Sequence, residues 1–215
     1  HICILIKYKL RKKEENMGEL LLCHPEEEGL FEALDSSTVR NVPKEVKIRA
    51  VHLLRNVNRL YGRTFGFILI LGYRRCWEKY LVEMGLENRP LIDASIMDSS
   101  GLQTLVQGRR NDGAIIMDDY GKVIRTKIYV DIPVMKILRE LGYWKSPFAV
   151  PKGTRHHTAL AASYALSNAS EGVCVVTSSE EDGSIRIFER GKILYSPLQK
   201  EMETMPVYRQ ATMEK

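Results

Sequence analysis

The spacing of apolar residues changes period several times along the chain, and each change marks an element. Val46, Ala50, Leu53, Val57 and Leu60 recur at the spacing of one helix face, and Pro43 suits the first helical position. His52 beside that stripe reads as a surface or core-edge residue. The run FGFILILGY at residues 65–73 is the longest strongly apolar stretch. It falls far short of the roughly 20 residues a bilayer span needs and reads as a buried central strand. RRCWEKYLVEMG then reads as a short helix closed by Gly85, and DSSGLQTLVQG as another, capped by Asp98 or Ser99. Residues 112–130 hold two β-rich runs around Asp119-Tyr120-Gly121, a hairpin signal. PVMKILRELG is a short amphipathic helix ended by Gly142, and KGTRHHTALAASYALS opens a helix to about Asn168. GVCVVTSSEEDG reads as a buried strand entering an acidic turn, and SIRIFERGKILY as a second hairpin about Arg190-Gly191. From Ser196 onward no periodicity remains, which predicts a loose tail.

Helices alternating with strands, several of them joined by hairpins, predict an α/β fold with a mixed central β-sheet flanked by helices on both faces. The expected organisation is an N-terminal extension or remnant of another domain at 1–42, a main domain at 43–195 and the tail at 196–215. The extension is heterogeneous: ICILIKYKL suits a strand, GELLLCHPEEEGLFEAL an apolar run before an acidic helix start, and DSSTVRNVP a linker. A chain beginning with His is expected to be a piece of a longer protein.

Composition narrows the function classes. A net charge of +5, with Lys and Arg spread among nearly as many acids, suits an anionic ligand rather than a nucleic acid, whose binders concentrate charge on one face. The one dense basic run, KYKLRKK, reads as a solvated segment. Cys3, Cys23, Cys76 and Cys174 show neither CxxC pairs nor metal-finger spacing, which suggests reduced thiols and a cytoplasmic location. No stretch predicts a membrane span.

Three polar clusters fall at the ends of predicted elements: NDGA (111–114), GTRHH (153–157) and SSEEDG (178–183). GTRHH opens a helix, where backbone N–H groups lack intrahelical partners and the dipole is positive. Gly153 lets a ligand approach the backbone; Thr154 can cap the helix or bond a phosphate oxygen; Arg155 offers a bidentate fork. His156 and His157 add a metal ligand, a proton carrier or another phosphate donor. A Thr-capped helix whose Arg and His face water explains the same residues. Asp-Gly is also a common turn dipeptide, and the acidic cluster also reads as a hairpin turn. Together, though, carboxylates able to hold Mg²⁺ or Mn²⁺ and an Arg-bearing helix start are the parts that phosphoryl or nucleotidyl transfer needs.

In that order, DGA before a strand, Thr-Arg-His opening a helix and a strand ending in Ser-Glu-Glu-x-Gly resemble the diadenylate cyclase domain over about residues 45–195. That family joins two ATP molecules into cyclic di-AMP and releases two pyrophosphates. The resemblance implies catalytic roles for Asp112, Arg155 and His156. Asp112 would help a divalent metal, Mn²⁺ or Mg²⁺, activate the ribose 3′-hydroxyl, with Glu181 as the second metal carboxylate. Gly113 and Ala114 would let the nucleotide lie against the backbone, and Tyr129 and Val130 match a stretch that packs on adenine. Gly153, Thr154, Arg155, His156 and His157 would hold the phosphates, and Ser179 and Glu180 would line the ATP pocket. Two departures stand out: His157 replaces the family's usual Arg, and Asn111 stands where some members carry a metal-binding His. Because each ATP supplies one nucleophile and one α-phosphate, the resemblance also implies a homo-oligomer with face-to-face sites. Two rivals remain: a nucleotide-binding regulatory module without turnover, suggested by His157, and a metal-dependent phosphohydrolase using the His pair and the acids.

Overall fold

Strand β1 (Phe67–Leu71), FILIL, is buried at every position, so both of its faces must be covered. The computed structural model describes residues 25–84, 94–98, 100, 101, 103, 105, 113–148 and 153–203. The chain divides into two compact units, His1–Glu32 and Ala33–Lys215. Helix α1 (Pro25–Asp35) carries the chain from the first into the second.

In the second unit α2 (Lys44–Tyr61) precedes β1, and a 3₁₀ turn (Arg75–Tyr80) leads into β2 (Leu81–Glu83). There follow β3 (Ala114–Met117), β4 (Val123–Val130), α3 (Val134–Glu140), α4 (Thr154–Asn168), β5 (Cys174–Ser178), β6 (Ile185–Glu189), β7 (Lys192–Tyr195) and α5 (Gln199–Met202). The strands form one mixed sheet in the order β2-β4-β3-β1-β5-β6-β7, parallel at β1–β3 and antiparallel at every other pairing.

Period-two alternation assigns the faces. Ile68 and Ile70 of β1, with Val173 and Val175 at β5, join one apolar cluster with Ile137 and Leu138 of α3 and Leu160 and Leu166 of α4. The opposite face meets α2: Asn58 reaches Ser178 of β5, and Lys47 reaches Glu189 of β6. The α/β fold with helices on both faces is therefore as the sequence predicts.

Turn chemistry also follows the sequence. The β3–β4 connection closes when the Asp118 carboxylate accepts from the N–H groups of Tyr120 (2.9 Å) and Lys122 (2.8 Å). Arg190 and Gly191 both take positive φ, 49° and 72°, the two-residue turn whose twist matches a right-handed hairpin. Gly62 ends α2 in the left-handed conformation, and Asp98 accepts from the Ser100 N–H before the helical positions 100, 101, 103 and 105.

Two expectations are corrected. Residues 81–83 form an edge strand, not the end of a helix: Leu81, Val82 and Glu83 pair with Val130, Tyr129 and Ile128. The 3₁₀ turn before them seats Trp77 in the core, and the strand ladder then competes successfully with helix continuation. Of the tail expected to be loose at 196–215, residues 196–203 are held in place, and 204–215 lie outside the described residues. Arg186 donates to both carboxylate oxygens of Glu201 (2.6 and 3.1 Å), and Ser196 donates to the same carboxylate (2.6 Å). These long-range polar partners leave no mark in local periodicity.

A second buried ion pair joins the sheet to α2. Lys47 Nζ lies 2.8 Å from Glu189 Oε1, with both side chains almost fully buried. The Ser37 hydroxyl and the N–H groups of Thr38 and Val39 also donate to Glu189, while Lys47 donates to the Val39 carbonyl. Removing one partner strands the other charge in a dry site. Glu189→Ala is expected to lower the unfolding free energy by about 3–5 kcal/mol, read by urea denaturation. A loss within the about 0–1 kcal/mol typical of exposed pairs would mean that water reaches Lys47.

Candidate active site

The motifs converge because of where their strands begin and end. Phe67 stands opposite Ser178, and β3 runs parallel to β1 with Leu69 opposite Ile115. The entries to β1 and β3 and the exit of β5 therefore share one end of the sheet. A cavity of about 370 Å³ opens there, lined by Gly113 and Ala114, by Ile128, Tyr129 and Val130, by Gly153–His156 and Thr158, and by Ile68, Met84 and Glu181.

Gly113 makes the β3 wall possible. Its φ is +108°, and a Cβ would stand 2.9–3.1 Å from backbone atoms of Lys127 and Ile128. Lys127 itself takes φ 57°, in a register shift between the Ala114–Ile128 and Ile116–Arg125 pairs. Two unusual backbone conformations thus bring β4 close against the start of β3.

On the opposite wall, Gly153 is the N-cap of α4 and makes no side-chain capping bond. Thr154 belongs to the helix and is exposed, so it does not serve as the cap. The first-turn N–H groups lack intrahelical acceptors and carry the positive end of the helix dipole. Arg155 Nη1 lies 3.5 Å from Glu180 Oε2. Glu181 accepts from the Ser179 hydroxyl at 2.5 Å, and its Oε1 would be 3.6 Å from a Cβ on Gly153. That places a carboxylate beside the helix N-terminus.

The two histidines differ. His156 is buried and lines the cavity; its ring meets Phe148 edge-on at 5.6 Å. His157 does not line it. Its Nδ1 is 3.3 Å from the Gly153 carbonyl, its Nε2 3.3 Å from the Ser146 hydroxyl, and its ring meets Phe148 at 5.0 Å. Ser179 and Glu180 stand behind the lining, holding Glu181 and Arg155. Asn111 and Asp112 lie outside the described residues.

Sequence reasoning missed Ile68, Met84, Ile128 and Thr158. Thr158 carried a usable signal, since it stands one helical turn after Thr154 and so shares its face. Ile128 and Ile68 were legible as strand residues, but alternation does not say which buried side chains stop at a cavity. Met84 follows the unanticipated edge strand.

Apolar walls, a helix N-terminus, one guanidinium and a carboxylate define a site for an anionic ligand with a flat or apolar portion. Comparison with known proteins shows what the chain resembles. No family model matches the chain. A diadenylate cyclase of Methanocaldococcus jannaschii is 29% identical over 174 residues, 77% of this chain and 48% of the relative. The chain is thus similar to the diadenylate cyclase domain family, as its motifs imply, and spans about half the length of that relative. Two solved structures are also similar: DacA from Staphylococcus aureus, a double cysteine mutant (TM-score 0.45, 18% identity, 80% of this chain and 95% of that one), and a hypothetical membrane spanning protein from Bacillus cereus (0.47, 15%, 71% and 63%). At those values neither likeness carries functional weight. Among the described residues, no helix is long and apolar enough to cross a membrane.

Gly113→Ala is expected to destabilise the fold by about 1–3 kcal/mol, because a Cβ must enter occupied backbone space at positive φ. Urea unfolding measures it, and an unchanged midpoint would show that the β4 bulge yields freely.

Proposed function

We propose that this chain is a nucleotidyltransferase that condenses two ATP molecules into cyclic di-AMP and releases two pyrophosphates. The carrying observation is that parts of all three motifs, separated in sequence, line one cavity: Gly113 and Ala114, Gly153 to His156, and Glu181. The match to the archaeal diadenylate cyclase supports the same reading.

In this reading adenine lies between the backbone at Gly113 and Ala114 and the strand residues Tyr129 and Val130. The triphosphate runs toward the α4 N-terminus, where main-chain N–H groups, Thr154 and Arg155 receive its oxygens. His156 borders the same phosphate region. The 3′-hydroxyl of one ATP, beside Asp112 in this reading, releases its proton to solvent as its oxygen attacks the α-phosphorus of the other. The bond from that phosphorus to the bridging oxygen breaks, and pyrophosphate leaves with the electron pair. Arg155 stabilises the charge that develops on it. The second bond forms by the same displacement in the opposite direction. Both sites must therefore face each other, so the active form is a homo-oligomer with apposed cavities. The reading places the chain in the cytoplasm, where ATP is available.

The donor set can be tested against a divalent metal. Among the described residues, no group of three or more His, Cys, Asp or Glu side chains comes together. Glu181 nonetheless borders the cavity, and Mg²⁺ is commonly held by one or two carboxylates plus substrate phosphates. Glu181 fits that pattern, and this reading assigns the second carboxylate to Asp112, which lies outside the described residues. Bound Mn²⁺ or Mg²⁺ would supply positive charge to the phosphates and lower the pKa of the attacking hydroxyl.

The test is incubation of the protein at micromolar concentration with ATP and either ion, with products resolved by anion exchange and mass detection. Cyclic di-AMP with matching pyrophosphate is expected, and Asp112→Asn should reduce it by at least about a hundredfold while ATP still binds. ADP or AMP as the sole product would make the chain a phosphohydrolase. ATP binding without pyrophosphate release would make it a regulatory module, which the turn of His157 away from the cavity favours.

A further inference from the structure

Arg155 rests on Gly66. A Cβ built on Gly66 would stand 1.7 Å from Arg155 Nη1, 2.4 Å from Cζ and 3.0 Å from Nη2. The guanidinium thus occupies the space that any side chain at position 66 would take. Gly66 is not among the residues of positive φ, so its backbone is open to any L-residue. What calls for glycine there is the space above it.

The seat belongs to a small assembly. Thr64, two residues earlier, donates its hydroxyl to the Glu180 carbonyl, and Glu180 Oε2 lies 3.5 Å from Arg155 Nη1. The Phe65 N–H donates to Asn58 Oδ1 at 3.1 Å, tying this approach segment to α2. One short stretch therefore supplies the surface under the guanidinium and anchors the turn that carries its carboxylate partner. Glu180 is two-thirds exposed, so an entering phosphate can displace it from Arg155.

We propose that Gly66 is a positioning residue: it holds the Arg155 guanidinium at the cavity wall in the orientation that receives the phosphate groups of the nucleotide. This rests on the nucleotide-binding reading above. An arginine already seated loses less rotamer freedom when it bonds a phosphate, and that saving appears as affinity. Any side chain at 66 swings the guanidinium away. Because the clash falls on the end of a flexible side chain, the fold itself can absorb it.

The experiment is a double-mutant cycle between Gly66→Ala and Arg155→Ala, with ATP and adenosine affinities measured by calorimetry and melting temperatures alongside. Gly66→Ala is expected to stay folded, weaken ATP about tenfold, the scale of a charge-assisted hydrogen bond, and leave adenosine unchanged. In the Arg155→Ala background it should cost nothing further. If Gly66→Ala unfolds but the double variant folds, the contact with Arg155 is confirmed directly. Equal loss of ATP and adenosine, an equal effect in both backgrounds, no effect at all, or unfolding of both variants would overturn the proposal. The functional reading is scored separately by product analysis of the unsubstituted chain. ATP binding that follows the cycle without cyclic di-AMP would sink the cyclase reading and leave the role of Gly66 standing. Normal cyclisation with an indifferent Gly66→Ala would do the reverse, and a chain that binds no ATP would remove both.

Discussion

The site depends on the register of three central strands. With Phe67 opposite Ser178 and Ile115 opposite Leu69, the residues just outside β1, β3 and β5 are forced to the same end of the sheet. A slip of one residue in β5 would turn Val175 toward α2 and Val176 toward α4, exchanging the two apolar faces. Both faces are filled, so the register has no alternative of similar energy. The positions of Ile68, Gly113 and Glu181 around one cavity are a consequence of core packing, and α4, packed on the same sheet, brings Gly153–His156 to meet them.

Opposite charges meet at that end of the sheet. The helix N-terminus and Arg155 are positive, and Glu180 and Glu181 are negative. Glu180 sits against Arg155, while Glu181 takes a hydroxyl from Ser179 and lies beside the α4 N-terminus. On the proposed reading, an entering triphosphate would replace these internal partners, and the displaced carboxylates would need positive charge of their own. On that reading a divalent ion would answer the need, and the acidic turn and the basic helix start would act as one device.

Much of this was legible in the sequence. FILIL, the two hairpins, α2 and the helix opened by GTRHH follow from apolar period and turn residues, and the site motifs fall at their ends. What escaped was long-range. Residues 81–83 look helical by composition and become a strand because β4 offers an open edge. Residues 196–203 look loose and are fixed by an arginine in β6. The seat of Arg155 on Gly66 joins positions far apart in sequence, and nothing local marks that glycine as different from one in a turn.

The surroundings of the histidine at position 157 show what it does in the fold. Phe148 receives the rings of His156, His157 and Phe188 edge-on, and the buried Arg186 lies 5.8 Å over its face. His157 is further occupied by Ser146 and the Gly153 carbonyl. The motif histidines are therefore braced from behind by an aromatic core, and His157 fixes the chain at the cap of α4 instead of reaching into the cavity. On the proposed reading, phosphate recognition would then fall on the N–H groups of the first helical turn and on Arg155. Main-chain donors need no rotamer ordering, but each is weaker than an arginine fork. On the proposed reading, selectivity for phosphate would rest on how firmly Arg155, the one arginine lining the cavity among the described residues, is held, and the bare Cα beneath it would matter more than beside a second guanidinium.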